Sequence, residues 1–290
     1  MEKRFDALII GCGPAGLSAA LNLQIRKKSF LILGSKVCSP WLEKAERIDN
    51  YLGFPGINGT ALRDLFLDHV KKMDISIQSE KVSSIYHLGD FFVAKSGTKE
   101  YESKAIIIAT GVHIEKPLEG ENDYLGRGVS YCATCDGPLY RDKKVALVDF
   151  TEEEGWEEAT FLSEIVDKIF YYPVKGMKTR TPLSNMEVLQ EKPLALEGKD
   201  DKLQALVLEN STVPVEGLFI IRETQRADVL LPGLETKQGA IVVDENMATN
   251  VPGAFAAGDC TGKPYQLAKA VGQGGIASLS AVSFLDSRRA

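Results

Sequence analysis

Cys132 and Cys135, spaced C-x-x-C and followed at once by Asp136, are the densest chemistry in the sequence. That spacing lets two sulfurs close a small ring as a disulfide or share a proton as a dithiol, so that one thiolate attacks while the other resolves. Metal binding is the main rival. A structural zinc needs four ligands, usually a second C-x-x-C or a histidine pair. The only histidines, His69, His87 and His113, are far apart in sequence, so no metal site is expected. A pair of inert buried cysteines is a further alternative. Asp136 is a candidate proton donor to a leaving thiolate, or else a cap for the helix that follows.

A second kind of chemistry lies near the amino end. Gly11-Cys12-Gly13-Pro14-Ala15-Gly16 is a complete G-x-G-x-x-G between a strand-like run, FDALII, and a helix-like one. The first glycine makes the tight turn, the second lets backbone approach a pyrophosphate, and the third lets helix and strand pack closely. The helix N-terminus adds free N–H groups and a positive dipole end. The alternative is a glycine turn with no ligand. The next strand should end in an acidic residue for an adenosine ribose. Gly34 stands there instead, followed by Ser35 and Lys36. Ala109-Thr110-Gly111 and Ala257-Gly258-Asp259-Cys260 end two further strands. Asp259 is placed to bond a ribityl hydroxyl, and the helix after it can face an isoalloxazine edge. With GCGPAG and in this order, these segments resemble the two-dinucleotide-domain flavoprotein reductases. That resemblance implies FAD.

The elements that must position these groups follow from periodicity. FDALII, the glycine turn, a helix and SFLILG form one βαβ unit. An antiparallel pair is expected around a turn at Gly89-Asp90, and KAIIIATG is a buried strand. A second βαβ unit runs through strand 143–150, a helix over 153–166 and strand 168–173. LQALVLEN and GLFIIRE are later strands of that domain, and a last helix is expected from about Lys263 to Leu285. Two nucleotide-binding-like units result, the second inserted in the first, with boundaries near residues 115 and 243.

Composition narrows the class. Apolar residues are 44% and charged residues 26%, which suits a globular protein, and the net charge of -6 disfavours a general nucleic-acid or anionic-membrane binder. No apolar run is long enough to span a bilayer, and the charged Met1–Asp6 does not read as a secretion signal. Five scattered cysteines are not a secreted disulfide framework. A reducing, cytoplasmic setting is expected, with any disulfide being catalytic.

YCATCDGPLY, GCGPAG and the GDC before the last helix together resemble low-molecular-weight thioredoxin reductase over nearly the whole chain. RIDNYLGFPG, which contains Asn50, matches that family's segment beside the flavin. The resemblance implies an α/β fold of two interleaved Rossmann-like domains, usually as a homodimer. Residues 1–115 and 244–290 would bind FAD, and 116–243 would carry the dithiol. Gly11, Gly13, Pro14, Ala15, Gly16, Gly34, Ser35, Lys36, Asn50, Ala109, Thr110, Gly111, Gly258 and Asp259 would line the cofactor, with Gln266, Leu267 and Ala268 by the ring. Cys135 would be the flavin-proximal sulfur, Cys132 the exchanging one and Asp136 the acid.

The inserted domain departs from that family. Phe150 and Glu152 stand where the first two glycines of a nucleotide loop belong, and Gly155 holds the third place. A phenylalanine would block the turn, and Glu152, Glu153 and Glu154 would repel a phosphate while satisfying the helix dipole. The strand that normally ends in a basic cluster for a 2′-phosphate ends Tyr171-Tyr172-Pro173-Val174-Lys175, with Lys178 and Arg180 beyond. This combination, with Gly34-Ser35 and GDCTGKPYQ, resembles the ferredoxin-dependent flavin thioredoxin reductases of clostridia. It implies ferredoxin as donor and thioredoxin as acceptor. The alternatives are a divergent NAD(P)H-dependent thioredoxin reductase, an enzyme with another donor or a second flavin, and a non-catalytic redox sensor. A basic patch to steer an acidic ferredoxin would come from Lys143, Lys144, Lys175, Lys178 and Arg180, or from Lys27 and Lys28.

Overall fold

A computed structural model describes residues 4–35, 38–112, 117–151, 153–177, 180–200, 202–222 and 227–288. Of the residues singled out above, Lys36, His113, Glu152 and Lys178 lie outside the described residues, as does the expected boundary at 115. The chain divides into two compact units, 1–113 with 224–290, and 114–223.

The first unit opens with β1 (Phe5–Ile10), α1 (Pro14–Ile25) and β2 (Phe30–Gly34), with β1 and β2 parallel. A short turn of helix, α2 (Pro40–Glu43), precedes α3 (Gly59–Lys72), whose start is capped by the Asn58 side chain. Then come β3 (Ile77–Ser79), β4 (Ser84–His87), β5 (Phe92–Ser96) and β6 (Lys99–Ile108). β4 and β5 form the antiparallel hairpin across Gly89-Asp90. β6 is longer than its apolar core: its first half pairs antiparallel with β5 and its second half parallel with β1.

The second unit has β7 (Val129–Ser130), α4 (Ala133–Asp136), β8 (Lys144–Asp149), α5 (Glu153–Ser163), β9 (Lys168–Pro173) and β10 (Met186–Val188). β11 (Pro193–Lys199), β12 (Lys202–Leu208) and β13 (Thr212–Pro214) form a separate antiparallel sheet, and β14 (Gly217–Ile221) returns to the parallel one. The five-stranded order is β10-β9-β8-β14-β7. Its two faces are both buried, Ala146 and Val148 on one side and Val145 and Leu147 on the other. This is why β8 reads as an unbroken apolar run rather than an alternating one.

The chain then rejoins the first unit through α6 (Ala227–Leu230), β15 (Thr236–Lys237), β16 (Ala240–Ile241), β17 (Ala254–Ala256) and α7 (Leu267–Ser287). That unit's sheet runs β3-β2-β1-β6-β5-β4, with β17 added parallel to the far half of β6. β1 sends Ala7 and Ile9 to one face and Leu8 and Ile10 to the other, and both faces are covered. The expected boundary at 243 is corrected by this packing. Ala227, Leu230, Leu231, Leu234 and Ile241 are buried with Leu8, Ile10, Ile106 and Ile108. The stretch has little regular structure, so its apolar residues alone decide which core takes it. α7 also begins later than expected, because Gly262 has φ 94° and Gln266 is extended at φ -134°, so the first helical turn closes only from Leu267. Among the described residues no helix is long and apolar enough to cross a membrane.

One buried ion pair ties the second unit together. Arg222, just past β14, donates to Glu121 Oε1 and Oε2 at 2.7 and 2.8 Å, and both side chains are almost fully buried. Tyr131 donates its hydroxyl to Glu121 at 2.6 Å, and the Leu118 N–H donates at 2.8 Å. Burial alone would push the Glu121 carboxyl up; the bonds from Arg222 and Tyr131 outweigh it and hold the carboxyl below its ordinary value. A lowered carboxyl adds stability that is present above the ordinary pKa and lost as pH falls through the lowered one. Glu121→Gln leaves a buried guanidinium without its counter-charge, so a loss of about 3–5 kcal/mol is expected at neutral pH. The variant should also be less acid-sensitive than the parent below about pH 4. Urea unfolding followed by Trp156 fluorescence, in a Trp41→Phe background, reads both effects. Equal stability at neutral pH would rule out this role for the pair.

Candidate functional site

The dithiol turn is built from three elements of the second unit. β7 ends at Ser130, the chain turns at Cys132, and α4 begins at Ala133. Cys132 and Cys135 are joined in a disulfide, with their Cα atoms 5.3 Å apart. Cys132 is extended, at φ -146°, and its sulfur accepts the Cys135 N–H at 3.2 Å. With no proton on a disulfide sulfur, the Thr134 hydroxyl 3.4 Å away is the donor to it. The Ala133 N–H donates to the Glu158 carboxylate, reaching across from α5. Ser130 links backbone to acid: its hydroxyl donates to Asp136 Oδ2 at 2.7 Å and accepts the Cys132 N–H at 3.1 Å. Asp136 therefore does not act as a cap; the 3-10 turn Gly137–Tyr140 that follows receives no side-chain hydrogen bond from it. Burial and then the charge of Asp136 push the Tyr140 phenol up. Cys132 is buried and Cys135 is exposed. Sequence reasoning missed Ser130, Thr134 and Glu158, whose roles depend on a turn that no spacing rule describes. Among the described residues no group of His, Cys, Asp or Glu is arranged to hold a metal ion.

The first unit supplies a bare cradle. Gly11 turns at φ 111°, and a Cβ there would lie 2.3 Å from the Ala109 carbonyl oxygen. A Cβ on Gly16 would lie 2.0 Å from the Gly11 oxygen, so helix and strand approach as the motif requires. Above Gly13 and Gly111, by contrast, a Cβ would meet nothing within 4 Å. Pro14 and Ala15 open α1 beside this space. Ala109-Thr110-Gly111 follows β6, and the turn Gly258-Asp259 follows β17 on the neighbouring strand. α7 fixes that turn. Gln273 accepts the Gly258 N–H and the Thr261 hydroxyl, both at 3.0 Å, and the Lys269 ammonium donates to the carbonyls of Gly258 and Gly262. Asp259 Oδ1 is buried with no hydrogen-bond partner among the described residues. Burial raises the Asp259 carboxyl against the opposing pull of Lys269, and burial lowers the Lys269 ammonium. An orphaned carboxylate oxygen beside an open glycine cradle fits a ligand rich in hydroxyls and phosphates. Asn50 donates to Gln266 at 3.0 Å, which joins the RIDNYLGFPG segment to the start of α7, where Leu267 and Ala268 lie in the first turn. Cys260 is a buried thiol that burial pushes up to about 11, so it is not a reactive nucleophile.

One finding in this cradle overturns an expectation. Cys12, inside the glycine motif, is bonded to Cys38, so the chain has a disulfide outside the C-x-x-C. The two cysteines stand on either side of β2, and their separation of 26 residues carries no signature that sequence reading recognises. Ser35, after Gly34, is exposed.

The second unit has the same strand–turn–helix at β8–α5, and here the space is filled. The Asp149 carboxylate, 1% exposed, accepts from the Thr151 N–H at 2.7 Å, the Thr151 hydroxyl at 2.8 Å and the Tyr171 hydroxyl at 2.6 Å. The Thr151 hydroxyl oxygen in turn accepts the Gly155 N–H at 2.8 Å. Phe150 lies on the other face, with the Arg222 guanidinium 5.1 Å from its ring. The blocking group beneath Gly155 is thus Asp149, not the phenylalanine expected to fill the turn; a Cβ on Gly155 would lie 2.0 Å from Asp149 Cγ. Of the basic residues proposed as a patch, Lys28 is buried and paired with Asp286, and Arg180 stacks over Trp156 at 5.3 Å. Lys27, Lys144 and Lys175 are exposed, while Lys143 is half-buried beside the Tyr140 ring. Gly155→Ala is expected to destabilise the second unit by about 1–3 kcal/mol through overpacking. Asp149→Ala strands the buried Tyr171 hydroxyl at a similar cost, about 1–3 kcal/mol. The double variant should lose less than the sum, because removing the carboxylate makes room for the methyl. Additive losses in denaturant unfolding would show that the two side chains do not compete for one space.

Comparison with known proteins places this geometry. The family model described as pyridine nucleotide-disulphide oxidoreductase matches residues 5–148 and 186–274. A thioredoxin reductase of Listeria innocua is 31% identical over 98% of this chain and 95% of its own length. The crystal structure of a ferredoxin-flavin thioredoxin reductase from Clostridium acetobutylicum is similar with a TM-score of 0.91 at 42% identity, covering 98% of this chain and 99% of that one. An atypical thioredoxin reductase from Desulfovibrio vulgaris Hildenborough is similar at TM-score 0.73 and 31% identity, over 98% of this chain and 99% of that one. By the family match and these likenesses, the chain belongs to the pyridine nucleotide-disulphide oxidoreductase family, within its thioredoxin reductases.

Proposed function

We propose that this chain is an FAD-dependent thioredoxin reductase that draws its electrons from reduced ferredoxin rather than from a pyridine nucleotide. One observation carries the reading: the second strand–turn–helix is filled by the Asp149 carboxylate, while the Cys132–Cys135 disulfide and the first cradle are complete. A nucleotide phosphate and a buried carboxylate cannot share one helix N-terminus without strong repulsion. The likeness to the clostridial ferredoxin-flavin enzyme supports the donor. We assign FAD to the unit formed by 1–113 and 224–290, and the working dithiol to 114–223. A homodimer in the cytoplasm is the assembly and setting we propose.

The cradle residues Gly11, Gly13, Ala15 and Gly16 would hold the pyrophosphate, and Asp259 Oδ1 would accept a ribityl hydroxyl. FAD, when bound, supplies a centre that takes electrons singly and yields them as a pair. Reduction of the Cys132–Cys135 bond takes two electrons and two protons and gives two thiols. The exposed Cys135 is the sulfur open to reductant. Cys132 has to be uncovered before its thiolate attacks the thioredoxin disulfide. As the thiolate forms, its proton passes to the Asp136 carboxylate; the attack then makes a mixed disulfide and releases one substrate sulfur, which takes that proton from Asp136. Cys135 then attacks Cys132, the second substrate sulfur leaves with the proton that Cys135 gives up, and the internal disulfide is restored. Ser130 holds Asp136 for this transfer, and Glu158 fixes the first N–H of α4.

Two tests follow. Cys135→Ser should abolish thioredoxin reduction while the flavin stays reducible, and Cys132→Ser should fail to trap the thioredoxin mixed disulfide. Near-native turnover by either variant would remove the dithiol assignment. Anaerobic flavin absorbance with NADPH, NADH and reduced ferredoxin in parallel tests the donor. Ferredoxin should reduce the flavin; saturable reduction by micromolar NADPH would restore the pyridine-nucleotide reading. A ferredoxin encounter steered by Lys144 and Lys175 should slow by roughly tenfold as salt screens the field. Lys144→Glu and Lys175→Glu should slow it at low salt. A salt-independent rate would remove the steering while leaving the donor in place.

A further inference from the structure

The disulfide between Cys12 and Cys38 has no part in the chemistry above, yet it stands in the wall of the dinucleotide cradle. Cys12 lies between Gly11 and Gly13, in the turn that would face a pyrophosphate. Cys38 lies in the connection after β2, on the side where this kind of fold receives an adenosine ribose. Between them Gly34 ends β2, and a Cβ there would lie 2.5 Å from Cys12 Sγ and 2.8 Å from Cys12 Cβ. The disulfide thus fills the space that a side chain at the strand end would need. At the strand end, where the ribose-binding acid is absent, the Cys12 half of the cross-link takes up the room. We propose that Cys12–Cys38 is a redox-operated clasp on the dinucleotide site, closed as a disulfide to retain the cofactor and opened by a protein dithiol of the kind this enzyme generates. The proposal rests on the flavin reading of that cradle.

Opening is an ordinary exchange. A thiolate of the reduced dithiol attacks one clasp sulfur, forming a mixed disulfide and releasing the other as a thiolate. The dithiol's second sulfur resolves that bond. Two electrons and two protons pass to the clasp, and the dithiol leaves as its disulfide. Both clasp cysteines are buried, at 3% and 8% exposure, so attack requires local opening around the disulfide. Such opening is opposed by a ligand held against the Gly11–Gly13 turn. By linkage, a clasp that favours bound dinucleotide is itself protected by that dinucleotide to the same factor. An enzyme short of FAD would then be the form whose clasp its own product opens.

The test uses the full chain with Cys132→Ser and Cys135→Ser, so that no other disulfide is present. Peptide mapping after thiol blocking should find Cys12 bonded to Cys38. FAD affinity of the apoprotein, read by quenching of flavin fluorescence, should weaken roughly 5- to 150-fold after reduction by a phosphine. Reoxidation should restore it. The further variant Cys38→Ser should sit at the reduced value in both conditions; where it does not fold, reversible reduction of the parent gives the same answer. Saturating FAD should shift the reduction equilibrium of the clasp, poised against a thiol–disulfide buffer, toward the disulfide by the same factor. Equal FAD affinity in the two states, or free thiols at Cys12 and Cys38 after oxidation, would overturn the clasp and leave the flavin reading intact. No FAD uptake in either state would overturn the flavin reading, and the clasp with it.

Discussion

What occupies the turn between a parallel strand and the helix that follows it governs both halves of this molecule. That turn gathers free N–H groups and the positive end of a helix dipole, and something must answer them. In the first unit the glycines leave the space above Gly13 open, and a phosphate is the natural answer. In the second unit Asp149 answers from within: its carboxylate takes the Thr151 N–H, and Thr151 takes the Gly155 N–H. The two units share one strand–turn–helix architecture, yet in one the turn stays open above Gly13 and in the other it is filled by the unit's own side chains.

The dithiol turn obeys the same requirement. α4 spans only Ala133–Asp136, and its first N–H goes to Glu158 rather than to a sulfur. A carboxylate thus answers the first N–H of α4, while the Cys132 sulfur accepts the N–H of Cys135. Ser130 adds the second constraint by joining the Cys132 backbone to the Asp136 carboxylate, so acid and sulfur are held by one hydroxyl. The Glu121–Arg222 pair stands behind this arrangement, because it fixes Tyr131, the residue before Cys132.

Much of this was legible in the sequence where a local rule applies. GCGPAG, CATCD and the apolar runs of β1, β6 and β8 each carry a period or spacing with one physical meaning, and the strands form where those runs lie. What escaped the sequence depends on partners distant along the chain. Glu121 and Arg222 are 101 residues apart, and nothing in either neighbourhood marks them as a pair. Cys12 looked like a spacer in a glycine motif, and five scattered cysteines argued against any structural cross-link. Residues 227–243 have little periodic pattern, so their place in the first unit is decided by tertiary burial alone. Phe150 drew attention as the residue in a glycine's place, yet Asp149, an unremarkable strand-end acid in sequence, is the group that fills the turn.

The filled turn also bears on why a pyridine nucleotide is not simply one substitution away. Replacing Phe150 by glycine would empty the face beside Arg222 without moving the Asp149 carboxylate. Removing Asp149 would strand the Tyr171 hydroxyl and the Thr151 N–H, both of which a phosphate would have to reach to compensate. Glu153 and Glu154, in the first turn of α5, would still oppose any phosphate there. Each change toward a nucleotide site thus costs stability before it gains a ligand. The closed state is a local minimum in sequence, held by hydrogen bonds that were made to satisfy the helix end. A unit that had merely drifted would leave its helix end unanswered. Here Asp149 and Thr151 answer it from within, so the helix end is satisfied without a ligand.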